Sequence, residues 1–200
     1  MAKMKAAKTR LLAFDPTPAG LVTKPLRKEF KGLWARIRQE HFDQGNLNCE
    51  TCQTAEAEAK LIHAHEVYVL DDPEMVRLQR VAFICTRCHD VMHYDRTRRR
   101  CQPPYLQTLK DHYCKVNGGL SEAEFENDLR ASLLKSNEIR KAYGGAAATP
   151  PIDYGPYEDR ANASSLRKQA WADAHDDDDD TEYEDYIDDD WLYFRDLNSK

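Results

Sequence analysis

A chain of 200 residues with 41% hydrophobic and 32% charged residues and a mean hydropathy of −0.79 has material for one modest domain flanked by polar segments. No run approaches the roughly eighteen apolar residues of a membrane span, and the lysine-dotted start MAKMKAAKTRLLAF lacks an apolar stretch of signal-peptide length, so a protein kept in a reducing cytoplasm with no membrane partner is expected. The net charge of −6 is uneven: residues 1–150 carry 24 Lys/Arg against 19 Asp/Glu, whereas residues 151–200 carry 5 against 16, which makes a mildly basic body with an acidic end.

Residues 1–22, with DPTPAG and little apolar periodicity, read as a flexible basic arm. Leu26, Phe30, Leu33, Trp34 and Ile37 then fall on one face of a helix expected over 24–41. GNLN breaks it before the first cysteine pair. The β-branched and aromatic residues around Leu61 to Leu70 predict a strand, DDPEM a turn or helix start, and RVAFIC a short apolar strand that brings Cys85 back. QPPY stops any helix after the arginines, and LQTLKDHYCKV suggests the next. Ser121 and Glu124 then form the two halves of a capping box, ahead of a helix with its stripe at Leu120, Phe125, Leu129, Leu133 and Leu134. GGAAATPP closes the expected domain of residues 23–145. Residues 146–200, with DDDDDTEYEDYIDDDW, carry too much like charge to collapse and are expected to be largely disordered.

Cys49, Cys52, Cys85 and Cys88 form two CxxC pairs separated by 32 residues. Without an export signal, that spacing points to a tetrahedral zinc site of four thiolates, a structural Zn2+ that supplies stability to a small core. Cys101 and Cys114 do not share the spacing. If a helix begins at Cys88, His89 and His93 lie one turn apart and can ligate one ion together. Strand alternation puts His63 and His65 on one side and Ala64 and Glu66 on the other, so that His65 or Glu66 can be brought up to the histidine pair. RTRRR concentrates Arg96, Arg98, Arg99 and Arg100 just beyond it, a distribution suited to a polyanion such as nucleic acid.

CETC, HEVY and CTRCHDVMH together resemble the HNH endonuclease family, the ββα-metal nucleases, in the subgroup braced by two CxxC pairs. KDHYCKVNGGLSEAEFENDLRASLLKSNEIR is also similar to the helical extension of some bacterial and phage HNH-like proteins, so the resemblance spans about residues 30–155. It implies an α+β fold: a small zinc-stabilised ββα-metal finger flanked by helices, gripping a catalytic divalent ion. His89 and His93 match ligand positions. The family's first block carries His-His or Asp-His before an apolar residue, where this chain has Ala64-His65-Glu66-Val67. Two registers follow. In the favoured one His65 is the general base and Glu66 or His63 completes the metal shell; in the other His65 is a metal ligand and Glu66 the base. The family's middle asparagine is replaced by the neighbourhood of Gln79 and Arg80, of which Gln79 could serve as a hydrogen-bonding brace.

The resulting expectation is a metal-dependent endonuclease hydrolysing DNA phosphodiesters, in the cytoplasm, that of a bacterial host if the chain is phage-encoded. Mg2+ or Mn2+ suits an oxygen-rich site, and two histidines also accept Zn2+ or Ni2+. The alternative is a catalytically inactive, zinc-stabilised module that binds nucleic acid or protein. In the tail, aromatic residues such as Tyr183, Tyr186 and Trp191 interleave with acids, so beyond solubility it could dock a protein partner or fold back on the DNA-binding face.

Overall fold

The computed structural model describes residues 10–56, 59–143 and 150–174. Helix α1 (Leu26–Glu29) starts after Pro25, an extended residue, and its Arg27 N–H donates to the Glu66 carboxylate at 3.0 Å, so a side chain from a distant strand satisfies the helix end. The single helix expected over 24–41 is interrupted at Phe30, where the backbone leaves the helical region and the ring packs edge-on against Tyr154 at 5.1 Å. Helix α2 (Lys31–Asp43) resumes at once and buries Leu33 and Ile37.

Strands β1 (Ile62–Asp72) and β2 (Met75–Cys85) form a long antiparallel hairpin. Of the two readings of DDPEM, the turn is what forms: the Asp72 carboxylate accepts the Glu74 N–H at 2.9 Å, with Pro73 between them. The register pairs Ile62 with Cys85 and His65 with Ala82, and Gln79 is the extra residue of a bulge opposite Val67 and Tyr68. A two-residue strand, β3 (Ile152–Asp153), runs parallel beside β2. Helix α3 (Thr86–Met92) leaves directly from Cys85, with no loop between strand and helix, and α4 (Tyr94–Thr97) follows His93. Helix α5 (Pro103–Val116) begins with proline, whose missing N–H costs nothing there. Helix α6 (Glu122–Ala142) starts under the expected capping box, Glu124 N–H to Ser121 Oγ at 3.3 Å and Ser121 N–H to the Glu124 carboxylate at 2.9 Å. The fold is mixed α+β with a small three-stranded sheet. No described helix is long and apolar enough to cross a membrane. The chain divides into two compact units after Ser164, and a helix, α7 (Pro156–Ala174), carries the chain from the first into the second, of which residues 165–174 are described.

The first unit extends past both boundaries expected from sequence. Residues 10–22 are not a loose arm: Leu12 and Phe14 are buried, and the Phe14 ring stacks on Tyr113 at 4.9 Å and meets Phe125 edge-on at 5.3 Å. The Asn117 amide clasps the same segment, accepting from the N–H groups of Leu11 and Leu12 and donating to the Leu12 carbonyl, while Arg10 pairs with Asp128 at 2.8 Å. At the other end, the boundary at 145 moves outward: β3 joins the sheet, Tyr154 is buried with its hydroxyl on the Lys24 carbonyl at 2.5 Å, and Ala161 is buried. Residues 1–9 and the acidic residues 175–200, with the disorder and docking expected of the latter, lie outside the described residues. On α6, Phe125, Leu129 and Ile139 are buried and Leu133 partly so, whereas Leu134 is 59% exposed and leaves the stripe.

Phe14→Ala tests the packed arm. Removing a ring from this aromatic cluster should cost about 3–5 kcal/mol in urea unfolding, against a change within about 0.5 kcal/mol for a residue on a loose arm.

Candidate metal centre

The first cysteine pair sits in a tight knuckle. Cys49 N–H donates to the Thr54 carbonyl at 3.0 Å and Gln53 N–H to the Cys49 carbonyl at 2.9 Å, with Gln53 in the left-handed region at φ 59°. Glu50 fastens this knuckle to the hairpin: its N–H donates to the Phe83 carbonyl, and its carboxylate accepts the Phe83 N–H at 2.7 Å and pairs with Arg80. The second pair comes from the β2 end and the first turn of α3. All four sulfurs, of Cys49, Cys52, Cys85 and Cys88, lie within 4.8 Å of one another, a cluster that could hold zinc; Cys101 and Cys114 stand outside it.

The electrostatics of the cluster call for a cation. Hydrogen bonds from Cys85 and Cys88 hold the Cys49 thiol far below its ordinary pKa, and the thiolate so formed pushes Cys85 up to about 12 and Cys88 higher still. One thiolate is therefore tolerated and further ones are opposed, which a dication reverses. His112 places Nε2 3.2 Å from Cys88 Sγ, where an N–H would donate to the thiolate and stabilise it.

A second group stands beside the first. His65 on β1, His89 in α3 and His93 at the end of α3 bring one ring nitrogen each to within 4.8 Å of the others. The rings meet at interplanar angles of 78°, 59° and 80°, so their edges converge rather than stacking face on face. Burial lowers His65 to about 3 and holds His93 well below the ordinary histidine value. Both are neutral at pH 7, with lone pairs available to an ion. Three imidazoles leave further coordination positions open, which distinguishes this group from the closed set of four sulfurs.

The remaining residues singled out by sequence fall elsewhere. His63 is not in the group of three: its ring stacks on His89 at 4.8 Å, and its Nε2 lies 3.0 Å from Thr86 Oγ. The Thr86 hydroxyl also reaches the Leu61 carbonyl at 3.3 Å, so Thr86 ties the His63 ring to the segment that enters β1. Glu66 points to the opposite face of β1, where its nearly inaccessible side chain takes the Arg27 N–H and guanidinium at 3.0 and 3.1 Å; burial raises its pKa. Gln79 is exposed at the bulge, and the brace near this strand is Glu50. Arg98 and Arg99 both pair with Asp95, at 2.6 and 2.5 Å. Among the described residues, Arg96 and Arg100 make no ion pair, and burial, then Arg100 and Arg27, lower the Arg96 pKa. Sequence reasoning missed Glu50, Thr86 and His112, and also Asp15 and Asp90, whose carboxylates face His93 and His89. Only the adjacency of Glu50 to Cys49 and of Asp90 to His89 could have signalled any of them.

No protein-family model matches this chain, and neither the curated proteins nor the solved structures contain a match to it.

Two separate sites predict two separable metal contents. Cys88→Ser should lose the sulfur-bound zinc and several kcal/mol of stability. His89→Ala should keep that zinc while losing a second, weaker ion. Native mass spectrometry with thermal unfolding measures both.

Proposed function

We propose that this chain is a metal-dependent endonuclease of the ββα-metal kind that hydrolyses DNA phosphodiesters, with a structural zinc on Cys49, Cys52, Cys85 and Cys88. The convergence of His65, His89 and His93 from a hairpin strand and the helix that follows it carries this reading. Of the two registers open in the first block, His65 as a metal ligand agrees with this convergence. Glu66, the base in that register, is committed to the N-terminus of α1 and faces away from the histidines. The role falls instead to His63, on the same strand face as His65 and stacked on His89, an imidazole being able to take a proton from water near neutral pH.

A divalent ion on the three imidazoles would act as a Lewis acid, offsetting negative charge that builds on the phosphodiester. Imidazole donors suit Zn2+ or Ni2+ better than Mg2+ or Mn2+. Arg96 and Arg100, with no carboxylate partner among the described residues, are the arginines suited to hold the DNA backbone, whereas Arg98 and Arg99 must first leave Asp95. Such contacts position the duplex without reading its sequence. Thr86, 3.0 Å from His63 Nε2, orients the ring without touching the reacting atoms.

The test is plasmid nicking by the zinc-loaded protein across Zn2+, Ni2+, Mn2+ and Mg2+. His89→Ala should abolish nicking. His63→Gln, which keeps a polar partner for Thr86, should lower the rate about 10²- to 10⁴-fold with metal content unchanged. If no metal supports cleavage and His89→Ala binds DNA as tightly as the unaltered chain, the protein is a zinc-stabilised binding module instead.

A further inference from the structure

Two acidic side chains flank the three histidines, and neither has a lysine or arginine within ion-pair distance among the described residues. Asp15, from the N-terminal segment, sets its Oδ2 3.7 Å from His93 Nδ1, and Asp90 in α3 sets its Oδ1 3.9 Å from His89 Nδ1. Both are held in place by other bonds. Asp15 N–H donates to the Met92 carbonyl at 2.8 Å and its Oδ1 accepts the Thr17 N–H at 2.9 Å, which turns the second oxygen toward His93. The Tyr105 hydroxyl donates to Asp90 Oδ2 at 2.5 Å, leaving Oδ1 toward His89. The Asp90 side chain is 8% exposed and that of Asp15 24%.

Carboxylates in such surroundings are expensive unless a positive charge compensates them. Arg96 is a guanidinium whose charge is felt by both, from beyond ion-pair distance. Two carboxylate side chains beside three converging imidazoles make a donor set that one divalent ion at the convergence point would complete. Each carboxylate also faces Nδ1 of its imidazole. At 3.7 and 3.9 Å these pairs are longer than a direct hydrogen bond; a carboxylate drawn closer as an ion binds would hold a proton on Nδ1 and leave Nε2 of the same ring as the nitrogen that can ligate.

We propose that Asp15 and Asp90 are positioning residues of the histidine metal site, each fixing the tautomer and direction of one imidazole, so that the N-terminal segment completes a centre whose ligands all lie beyond residue 60. The inference rests on the metal-centre reading of His65, His89 and His93. It adds that the site is incomplete without residues 10–22, and that the outer carboxylates set its affinity for a dication.

The experiment is titration of the zinc-loaded full chain with Co2+, followed by calorimetry and visible absorption, with sulfur-bound zinc counted by native mass spectrometry. Asp15→Asn and Asp90→Asn keep the side-chain shape, and Asp15→Asn retains an oxygen for Thr17. Each should weaken Co2+ binding about 10- to 100-fold while zinc content and the Co2+-free thermal midpoint stay unchanged, and Asp15→Glu should recover part of the loss. A purely packing role would move the midpoint rather than the affinity. If both Asn variants bind Co2+ within about twofold of the unaltered chain, and His65→Ala does not bind it, the positioning role is wrong and the histidine site stands. If the unaltered chain takes up no Co2+ beyond its zinc, the histidine site falls and this inference with it.

Discussion

The junction at Cys85 governs the rest of the molecule. A strand that runs straight into a helix leaves no loop to absorb error, so the angle between the two elements must be fixed at the junction itself. The knuckle of residues 49–52 is fastened beside the junction by the bonds between Glu50 and Phe83, and its two cysteines meet Cys85 and Cys88 there. Because His89 follows Cys88 and His93 comes one turn later, the same clamp sets where two of the imidazoles stand. The third comes from β1 through the hairpin register, which pairs Ile62 with Cys85 and so fixes how far His65 lies from the helix. A slip of one residue would turn His65 to the face that now holds Glu66.

That division of β1 into two faces explains why His65 and its neighbour Glu66 do unrelated work. On one face His63 and His65 approach α3; on the other Glu66 meets the start of α1. Glu66 thereby couples the helix preceding the knuckle to the strand that follows it. The raised pKa that burial gives this carboxyl would suit a general base in isolation, yet its hydrogen bonds to Arg27 have an adequate structural cause. Perturbation alone does not identify chemistry.

Local patterns were legible in the sequence where a periodic or spaced signal exists. The CxxC pairs, the i, i+4 histidines, the alternation on β1 and the Ser121 to Glu124 capping box each encode a geometry within a few residues, and each is found in the fold. What escaped depends on contacts across long stretches of chain. Leu12 and Phe14 are two apolar residues in a Pro-rich segment, too few to show a period, and they are buried because Tyr113 and Phe125 from α5 and α6 offer an aromatic wall. Ile152 and Tyr154 follow a stretch of Gly, Ala and Pro that reads as an ending, and only the free edge of β2 gives them a place. The break at Phe30 likewise follows from a ring on Tyr154, more than a hundred residues away.

The basic run shows a related limit. Four arginines in five residues read as one positive patch, but a single Asp95 neutralises two of them, and the helical turn decides which. Arg98 and Arg99 lie three and four residues beyond Asp95 and can reach it; Arg96 is adjacent to it and is directed elsewhere. Arg96 instead stands where its charge is felt by His65, His93, Asp15 and Asp90. The effective charge around the histidines is therefore set less by the count of arginines than by which carboxylates are already engaged, so one guanidinium near the candidate site counts for more than the length of the run.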